Sequence, residues 1–455
     1  MASFSSMNSA LSAMRYQQVA LDVASTNVAN ATTDGFVRRR VVGETVGPGG
    51  VPALWSRPAP TAAGVEASGI DRMVDQFLET RARAEHGRQA YLDLQVGALS
   101  RVEAGLAEPG GNGVSAAIAA FTGTLHDLVN APGSDAARSQ VLAAANTVAD
   151  AIRLQARNLA EETADQQARL TATVDEVNTI ASELAATNRT ISAANLNAGD
   201  AANLLDERDR LTMRLAELTG STGQVQADGT MTVTLDGQTL VEGDVAGEVG
   251  LDSASRPIAL SLDGVALSGA LGGRVGAIAD LLDTKLPDYA DELSTVAQDL
   301  ADALNAQHTS GFDRDGNPGA DLFEYDPSDV AGSLTVALTS PGMLAASSVP
   351  SGDVIDAGNA EALLDAIRDI GFDDRYQSLV NGFGTIVASA KRLAANQQAL
   401  TNQVDSSREQ LAGVSLDEET VNMLTAQRSY EAAARVMTTV DSLLDTLINR
   451  TGLVR

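Results

Sequence analysis

The chain has 455 residues, enough for two or three domains, and its formal net charge of -29 disfavours binding to nucleic-acid phosphates or anionic membrane surfaces. It contains no cysteine, which excludes disulfides, thiolate catalysis and zinc–thiolate sites. Aromatic residues make up only 3% of the chain, so its cores must be built from Ala, Leu and Val, a composition that favours closely packed long helices.

The first predicted helix carries an apolar stripe. Its residues recur at spacings of three and four, with Gln18 and Ser25 in the two gaps, and they are Phe4, Met7, Leu11, Met14, Leu21 and Val28. The turn formers Asn27, Asn30 and Gly35 end the helix, because Asn and Gly accept left-handed backbone geometry. The N-terminus is therefore predicted to be an amphipathic helix that needs a partner.

An extended segment to about Ala67 and several helices follow. Within that segment, Arg38-Arg39-Arg40 is interpreted as a solvated strand edge. Helices are predicted from about Gly69 to Glu108, from Val114 to Asn130, and over the stretch from Ser134 to Ala198, which has neither Gly nor Pro. The last of these is predicted to be a rod-like helix that packs against antiparallel neighbours.

A shorter helix, Ala201 to Thr219, contains the sequence LLDERDRL over residues 204–211, whose charges are predicted to point outward. From Gly220 onward apolar and polar residues alternate with a period of two, and Asp-Gly turns follow at Asp228 and Asp236. This pattern predicts a small β meander. Helix is expected again from about Arg274 to His308.

Residues 311–358 are predicted to hold a hairpin, a short strand and a connector. The stretch from Asp313 to Glu324 has the length of a calcium-binding loop, but Pro318 occupies the position that requires Gly. An ordinary Asp-Gly turn is the competing interpretation. Helices resume at about Asn359, with a break expected near Gly371 and Gly382, and run to Gly413.

The last predicted helix starts at Ser415, which forms a capping box with Glu418. Its apolar stripe is predicted at Val436, Val440, Leu443 and Leu447, and it is widened by Met437, Leu444 and Ile448. The two terminal stripes either pack on each other or pack separately on globular domains. We predict the first arrangement, with the stripes of the two ends forming one seam.

These elements predict a mainly α fold with a small β part. The elongated chain would pair its N- and C-terminal helices as a coiled coil (1–68 and 414–455) and build a long-helix bundle from 69–219, 271–310 and 359–413. The β meander would occupy 220–270 and a short β region 311–358.

No constellation of catalytic residues is visible. His86, His126 and His308 are far apart, and no phosphate-binding Gly-rich loop or nucleophile elbow occurs. No apolar run approaches the ~20 residues that span a bilayer, and Met1 is not followed by a secretory signal pattern. We therefore predict a protein that is not an enzyme and has no cofactor or metal.

Both ends resemble bacterial flagellar axial proteins. The stretch STNVANATTDGFVR, residues 25–38, is similar to the N-terminal signature of rod, hook and hook-associated proteins, and LDEETVNMLTAQRSY, residues 416–430, is similar to the C-terminal signature. Ser134 to Ile152, the LLDERDRL sequence and the stretch from Leu304 to Asp313 resemble the helical part of the hook-associated protein 1 family. The short 323–360 segment leaves no room for an outer lateral domain.

The resemblance implies a structural role at the junction between hook and filament, after export by the flagellar type III apparatus to the extracellular flagellum. The implied partners are further copies in a helical ring, the hook protein, the second junction protein and an export chaperone. The assembly interface would comprise both terminal stripes with Asn27, Asn30 and Gly35. The chaperone would contact Val440, Leu443, Leu444, Leu447 and Ile448 as a helix in a groove.

Two other functions stay open at this point. Another axial flagellar protein, of the hook, the rod or the second junction, would share both terminal signatures. A secreted coiled-coil adhesive module would share the amphipathic helices and could use the Asp313 to Glu324 loop for calcium.

Overall fold

The computed structural model describes residues 2–33, 35–46, 64–108, 110–111, 113–196, 201–253, 255–350 and 356–446, with 2–5 and 196 described by their backbone alone. Within these ranges the helices are α1 (Ala2–Ala29), α2 (Gln76–Gly105), α3 (Val114–Asn130), α4 (Asp135–Leu196), α5 (Ala202–Thr219), α6 (Gly273–Asp280), α7 (Leu286–Thr309), α8 (Val330–Ser333), α9 (Gly358–Asp369), α10 (Phe372–Ala412) and α11 (Leu416–Asp445). The strands are β1 (Arg39–Thr45), β2 (Val65–Arg72), β3 (Thr222–Val225), β4 (Met231–Leu235), β5 (Gln238–Glu242), β6 (Val245–Ala246), β7 (Val249–Asp252), β8 (Ala259–Leu262), β9 (Val265–Ala266), β10 (Phe323–Glu324) and β11 (Thr335–Val336).

Helix α4 is the rod predicted from the absence of Gly and Pro, and it is 62 residues long. The apolar residues at its predicted a and d positions are buried, which confirms the heptad interpretation, and they include Val141, Val148, Leu170, Val177 and Leu184. Helices α3, α5, α6 and α7 pack along it, so the rod forms the centre of the helical bundle.

Asn188, which interrupts the heptad pattern of α4, anchors the β meander. Its side chain is fully buried, donates to the carbonyls of Met231 and Gly243 at 2.9 Å each, and accepts the Met231 N–H. Asn178 makes the same pair of contacts with the backbone of Val249. Because a buried polar side chain must find partners, these two amides fix both sheets on the rod.

The meander lies where the period-two pattern predicted it. One antiparallel sheet has the order β3-β4-β5-β6 and a second has the order β7-β8-β9. Asp236 and Gly237 both take positive φ in the turn between β4 and β5, the geometry that Asp-Gly pairs favour in two-residue hairpins.

Helix α2 starts later than predicted, because residues 65–72 form β2 and not helix. This strand pairs antiparallel with β1 along its whole length, from Val65 opposite Thr45 to Arg72 opposite Arg39. The helix begins after Asp75, whose Oδ1 accepts the N–H groups of Phe77 and Leu78. The expected boundary between residues 68 and 69 therefore falls inside β2.

Two polar side chains at the end of α7 hold the 311–347 region. Asn305 accepts the N–H groups of Leu322 and Phe323. His308 is fully buried, with Nδ1 2.5 Å from the Ala320 carbonyl and Nε2 accepting the Ala345 N–H at 2.8 Å, and burial lowers its pKa. This pattern requires a neutral ring, so His308 is a structural anchor.

In the candidate calcium loop, the first carboxylate, that of Asp313, accepts hydrogen bonds from within the loop itself. Asp313 accepts the backbone N–H groups of Asp315 and Asn317 and the Asn317 side-chain amide, which is an Asp-Gly turn stabilised by its own side chain. Among the described residues no group of three or more His, Cys, Asp or Glu side chains is placed to hold a metal ion.

The predicted helix break is present at Gly371. Gly371 has φ of 60° and separates α9 from α10, whereas α10 continues through Gly382. The helix is not interrupted at Gly382 because Leu379 and Phe383 pack into the core on either side of it, and a single Gly costs only about 1 kcal/mol in a helix interior.

Candidate assembly interface

The first and last helices lie side by side. The end of α1 meets the start of α11, where Asn27 Nδ2 donates to Glu419 Oε2 at 3.0 Å, so the two helices run antiparallel. This places the start of α1 and the end of α11 at the same end of the helix pair.

The face of α11 that is buried begins at Glu419 and repeats at spacings of four and three. Its positions, buried or half-buried, are Glu419, Met423, Ala426, Tyr430, Ala433, Met437, Val440 and Leu444. We call these eight residues the inner face, because α1 is the main neighbour of α11.

Two residues of the predicted C-terminal seam lie elsewhere. Val436 and Leu443 are 48% and 55% exposed, and each lies about 100° around the helix from its inner-face neighbour, Met437 or Leu444. The exposed Val421 and Leu424 lie further round on the same side. We call these four residues the outer stripe. Of the remaining predicted positions, Val440 and Leu444 belong to the inner face, and Leu447 and Ile448 lie outside the described residues.

The N-terminal stripe is half covered. Met7, Leu11, Met14 and Leu21 are half-buried and Val28 is 36% exposed, whereas the most buried residues of α1 are Ala10, Val23, Ala24 and Asn27. Helix α1 also packs on the β1–β2 hairpin, where Ser12 Oγ accepts the Val65 N–H, so its buried surface is divided between two neighbours. The Phe4 side chain lies outside the described atoms.

The turn after α1 has the predicted conformation. Asn30 Nδ2 donates to the Thr26 carbonyl and Asn30 Oδ1 accepts the Thr33 hydroxyl. Gly35 has φ of 76°, which confirms the prediction that Gly is needed there, and it lies beside Arg210 of α5.

Glu419 connects three segments of the chain. Besides Asn27, its carboxylate accepts from Arg38 Nε at 2.9 Å and Nη2 at 2.8 Å, although its own side chain is only 3% exposed. Asn27 in turn bonds to both the N–H and the carbonyl of Arg39. One buried carboxylate thus joins α11 to α1 and to the hairpin.

The arginine triplet is not a solvated edge. Arg40 is exposed, but Arg38 pairs with Glu418 and Glu419, and Arg39 is 7% exposed and pairs with Asp206 at 2.8 Å. The prediction failed because the carboxylates that cover these guanidinium groups are far away in sequence.

The charged residues of LLDERDRL were predicted to point outward, but two of them, Asp206 and Asp209, point toward buried partners. Asp206 accepts from Arg39 and Arg72, and Asp209 accepts from Arg72 and Arg208. Only Glu207 and Arg210 of this sequence form an exposed pair. The sequence therefore attaches the β1–β2 hairpin, and with it the terminal helix pair, to the bundle.

We expect the substitution Asp206→Asn to loosen this attachment. It removes the charge shared by Arg39 and Arg72, both nearly buried, so the free energy of unfolding should fall by about 2 to 4 kcal/mol. The matched change Glu207→Gln, one residue away and 43% exposed, should cost less than about 1 kcal/mol. Chemical denaturation of both variants measures the difference, and equal losses would contradict the role of Asp206.

Three family models match separate parts of the chain. Residues 7–36 match the model described as flagella basal body rod protein, residues 99–323 the flagellar hook-associated protein FlgK helical domain, and residues 409–450 the flagellar basal body rod FlgEFG protein C-terminal region. In the described part of the chain, no helix has the length and apolarity needed to cross a membrane.

Curated relatives match nearly end to end. Flagellar hook-associated protein 1 of Bacillus subtilis is 29% identical over 99% of this chain and 98% of its own length, and that of Escherichia coli is 24% identical over 97% and 99%. The structure of the flagellar hook junction protein FlgK from Burkholderia pseudomallei shares the fold, with a TM-score of 0.63 and 16% identity over 72% of this chain and 99% of that one. The chain is thus similar over nearly its whole length to flagellar hook-associated protein 1, and it shares the fold of the hook junction protein.

Proposed function

We propose that this protein is a structural subunit of the bacterial flagellum at the junction between hook and filament, and that its copies assemble through the paired helices α1 and α11. The observation that carries the mechanism is the outer stripe, because Val421, Leu424, Val436 and Leu443 are 48 to 61% exposed on a helix that already has a partner. Apolar surface left over after intrachain pairing is available to a neighbouring subunit.

Contacts of this kind, repeated around an axis, build a helical ring or tube, since a head-to-tail interface that is not closed by symmetry propagates. The half-buried stripe of α1, Met7, Leu11, Met14 and Leu21, lies on the same helix pair and would complete the surface together with Val28. The Asn30 to Gly35 turn stays part of the proposed interface because it lies where the pair joins the bundle.

The neighbours in this proposal are further copies of the chain, the hook protein and the second junction protein. An export chaperone would hold the C-terminal helix before assembly. Since Val440 and Leu444 lie on the inner face, such a chaperone could reach them only with α11 separated from α1, whereas Leu443 is exposed in the folded chain.

The test is to locate the protein on flagella. In a strain whose own hook-associated protein 1 is deleted, this chain should restore filament attachment, and an antibody to its β meander should decorate one band between hook and filament. Decoration along the filament or the rod would contradict the proposal, and no decoration of restored flagella would contradict it as well.

A further inference from the structure

A cleft of about 420 Å³ lies where the first turns of α2 meet α5 and the outer strand β3. Its lining includes two arginines, Arg83 and Arg208, two carboxylates, Glu79 and Asp209, and the hydroxyl-bearing side chains of Thr222, Thr232 and Thr234. The two carboxylates pair with Arg208 and Arg408, so a guanidinium without a carboxylate partner and the hydroxyl donors are left to hold an oxygen-rich anion.

Most arginines around this cleft already have a carboxylate partner. Arg208 lies 2.5 Å from Asp209, and Arg408 makes two 2.9 Å contacts with Glu79. These pairs compensate the cost of burying each charge.

Arg83 differs from its neighbours. It is 4% exposed, and no carboxylate among the described residues makes an ion pair with it. Its Nη2 donates to the Thr80 hydroxyl at 3.1 Å and to the Gly223 carbonyl at 3.4 Å, and its Nε has no hydrogen-bond partner in the described part of the chain. Arg83 is thus a buried cation without a carboxylate partner at the wall of a cleft.

The surroundings of Arg83 favour an added negative charge. Burial lowers the pKa of its guanidinium, because desolvation penalises the charged form, and Asp209 and Glu79 offset only part of this effect while serving other arginines. A carboxylate in the cleft would offset more of this penalty and could accept from the guanidinium N–H groups.

We propose that this cleft binds a carboxylate through Arg83, and that in the assembled flagellum an Asp or Glu side chain of an adjacent copy supplies it. The chain offers 60 acidic against 31 basic residues, so carboxylates are the commonest charged groups that a second copy presents. Only this source of the carboxylate rests on the proposed function; the binding site itself does not.

The first experiment measures binding by the purified full chain, with malonate as the probe. At constant ionic strength, replacing chloride by malonate should raise the melting temperature by about 2 °C. Arg83→Gln should lose this increment and Arg83→Lys should keep part of it. Arg189→Gln, which changes a 69% exposed arginine of α4, should keep all of it. Because the readout is the malonate-dependent increment, a lower starting stability of a variant does not affect it.

An absent increment in the unaltered chain, or an equal one in Arg83→Gln, would overturn the site. A second experiment tests whether an adjacent copy supplies the carboxylate, by measuring how the chain adds to isolated hooks. Arg83→Gln or added malonate should weaken addition at least about tenfold. If malonate binds but does not weaken addition of the chain to hooks, the proposal that a neighbouring copy supplies the carboxylate would be overturned. If the unaltered chain fails to add at all, the proposed function fails, whereas the malonate result stands.

Discussion

Replacing Glu419 by Ala is expected to separate α11 from α1 and the hairpin. The change leaves Asn27, 1% exposed, and Arg38, whose side chain is 23% exposed, without the carboxylate that both of them contact. Removing one partner of a buried charged contact typically costs 3 to 5 kcal/mol, and since Arg38 keeps some access to water, we expect about 3 kcal/mol. Amide hydrogen exchange along α11 measures this loss as a faster opening of the helix pair.

Glu418→Ala is the matched control. Glu418 contacts the same arginine at 2.8 Å and lies in the same first turn of α11, so helix propensity and the helix dipole change alike in both variants. Its side chain, however, is 62% exposed, and its loss should cost less than about 1 kcal/mol. If both variants open α11 equally, burial of Glu419 is not what holds the pair.

The helices and strands were largely predictable because local signals specify them. The absence of Gly and Pro between Ser134 and Ala198, the Asp-Gly turns of the meander and the cap at Ser415 each act within a few residues. The start of α2 was missed since β2 exists only through its pairing with β1, and pairing is not a local property.

The interface was less predictable, for a reason visible in α11. Two registers satisfy the spacing of four and three: one runs through Val436 and Leu443, and the other through Met437 and Leu444. The second register, which begins at Glu419, is the inner face. It was not predicted because a Glu is rarely buried, so Glu419 was not counted as a buried position. In the same way Asp206 was predicted to point into solvent, because its partners Arg39 and Arg72 are far from it in sequence.

The distinction between the two faces of α11 predicts opposite results for two double substitutions. Val436→Glu with Leu443→Glu should leave the melting temperature of the single chain almost unchanged, because both side chains are about half exposed. Met437→Glu with Leu444→Glu, on the inner face, should lower the stability of the α1–α11 pair by several kcal/mol, because it places charges against α1.

In assembly the outer-stripe variant should fail although it is folded. Burying a Val or Leu side chain contributes about 1.5 to 3 kcal/mol, so losing two of them weakens each contact between subunits by a factor on the order of 10² to 10⁴. Filament attachment in a strain that depends on this chain should then be lost. Leu154→Glu, which changes a 48% exposed leucine of α4 away from the terminal pair, controls for the added charge and should leave attachment intact. Normal attachment with the outer-stripe variant would mean that neighbouring copies meet elsewhere, and the half-buried stripe of α1 would be the next surface to alter.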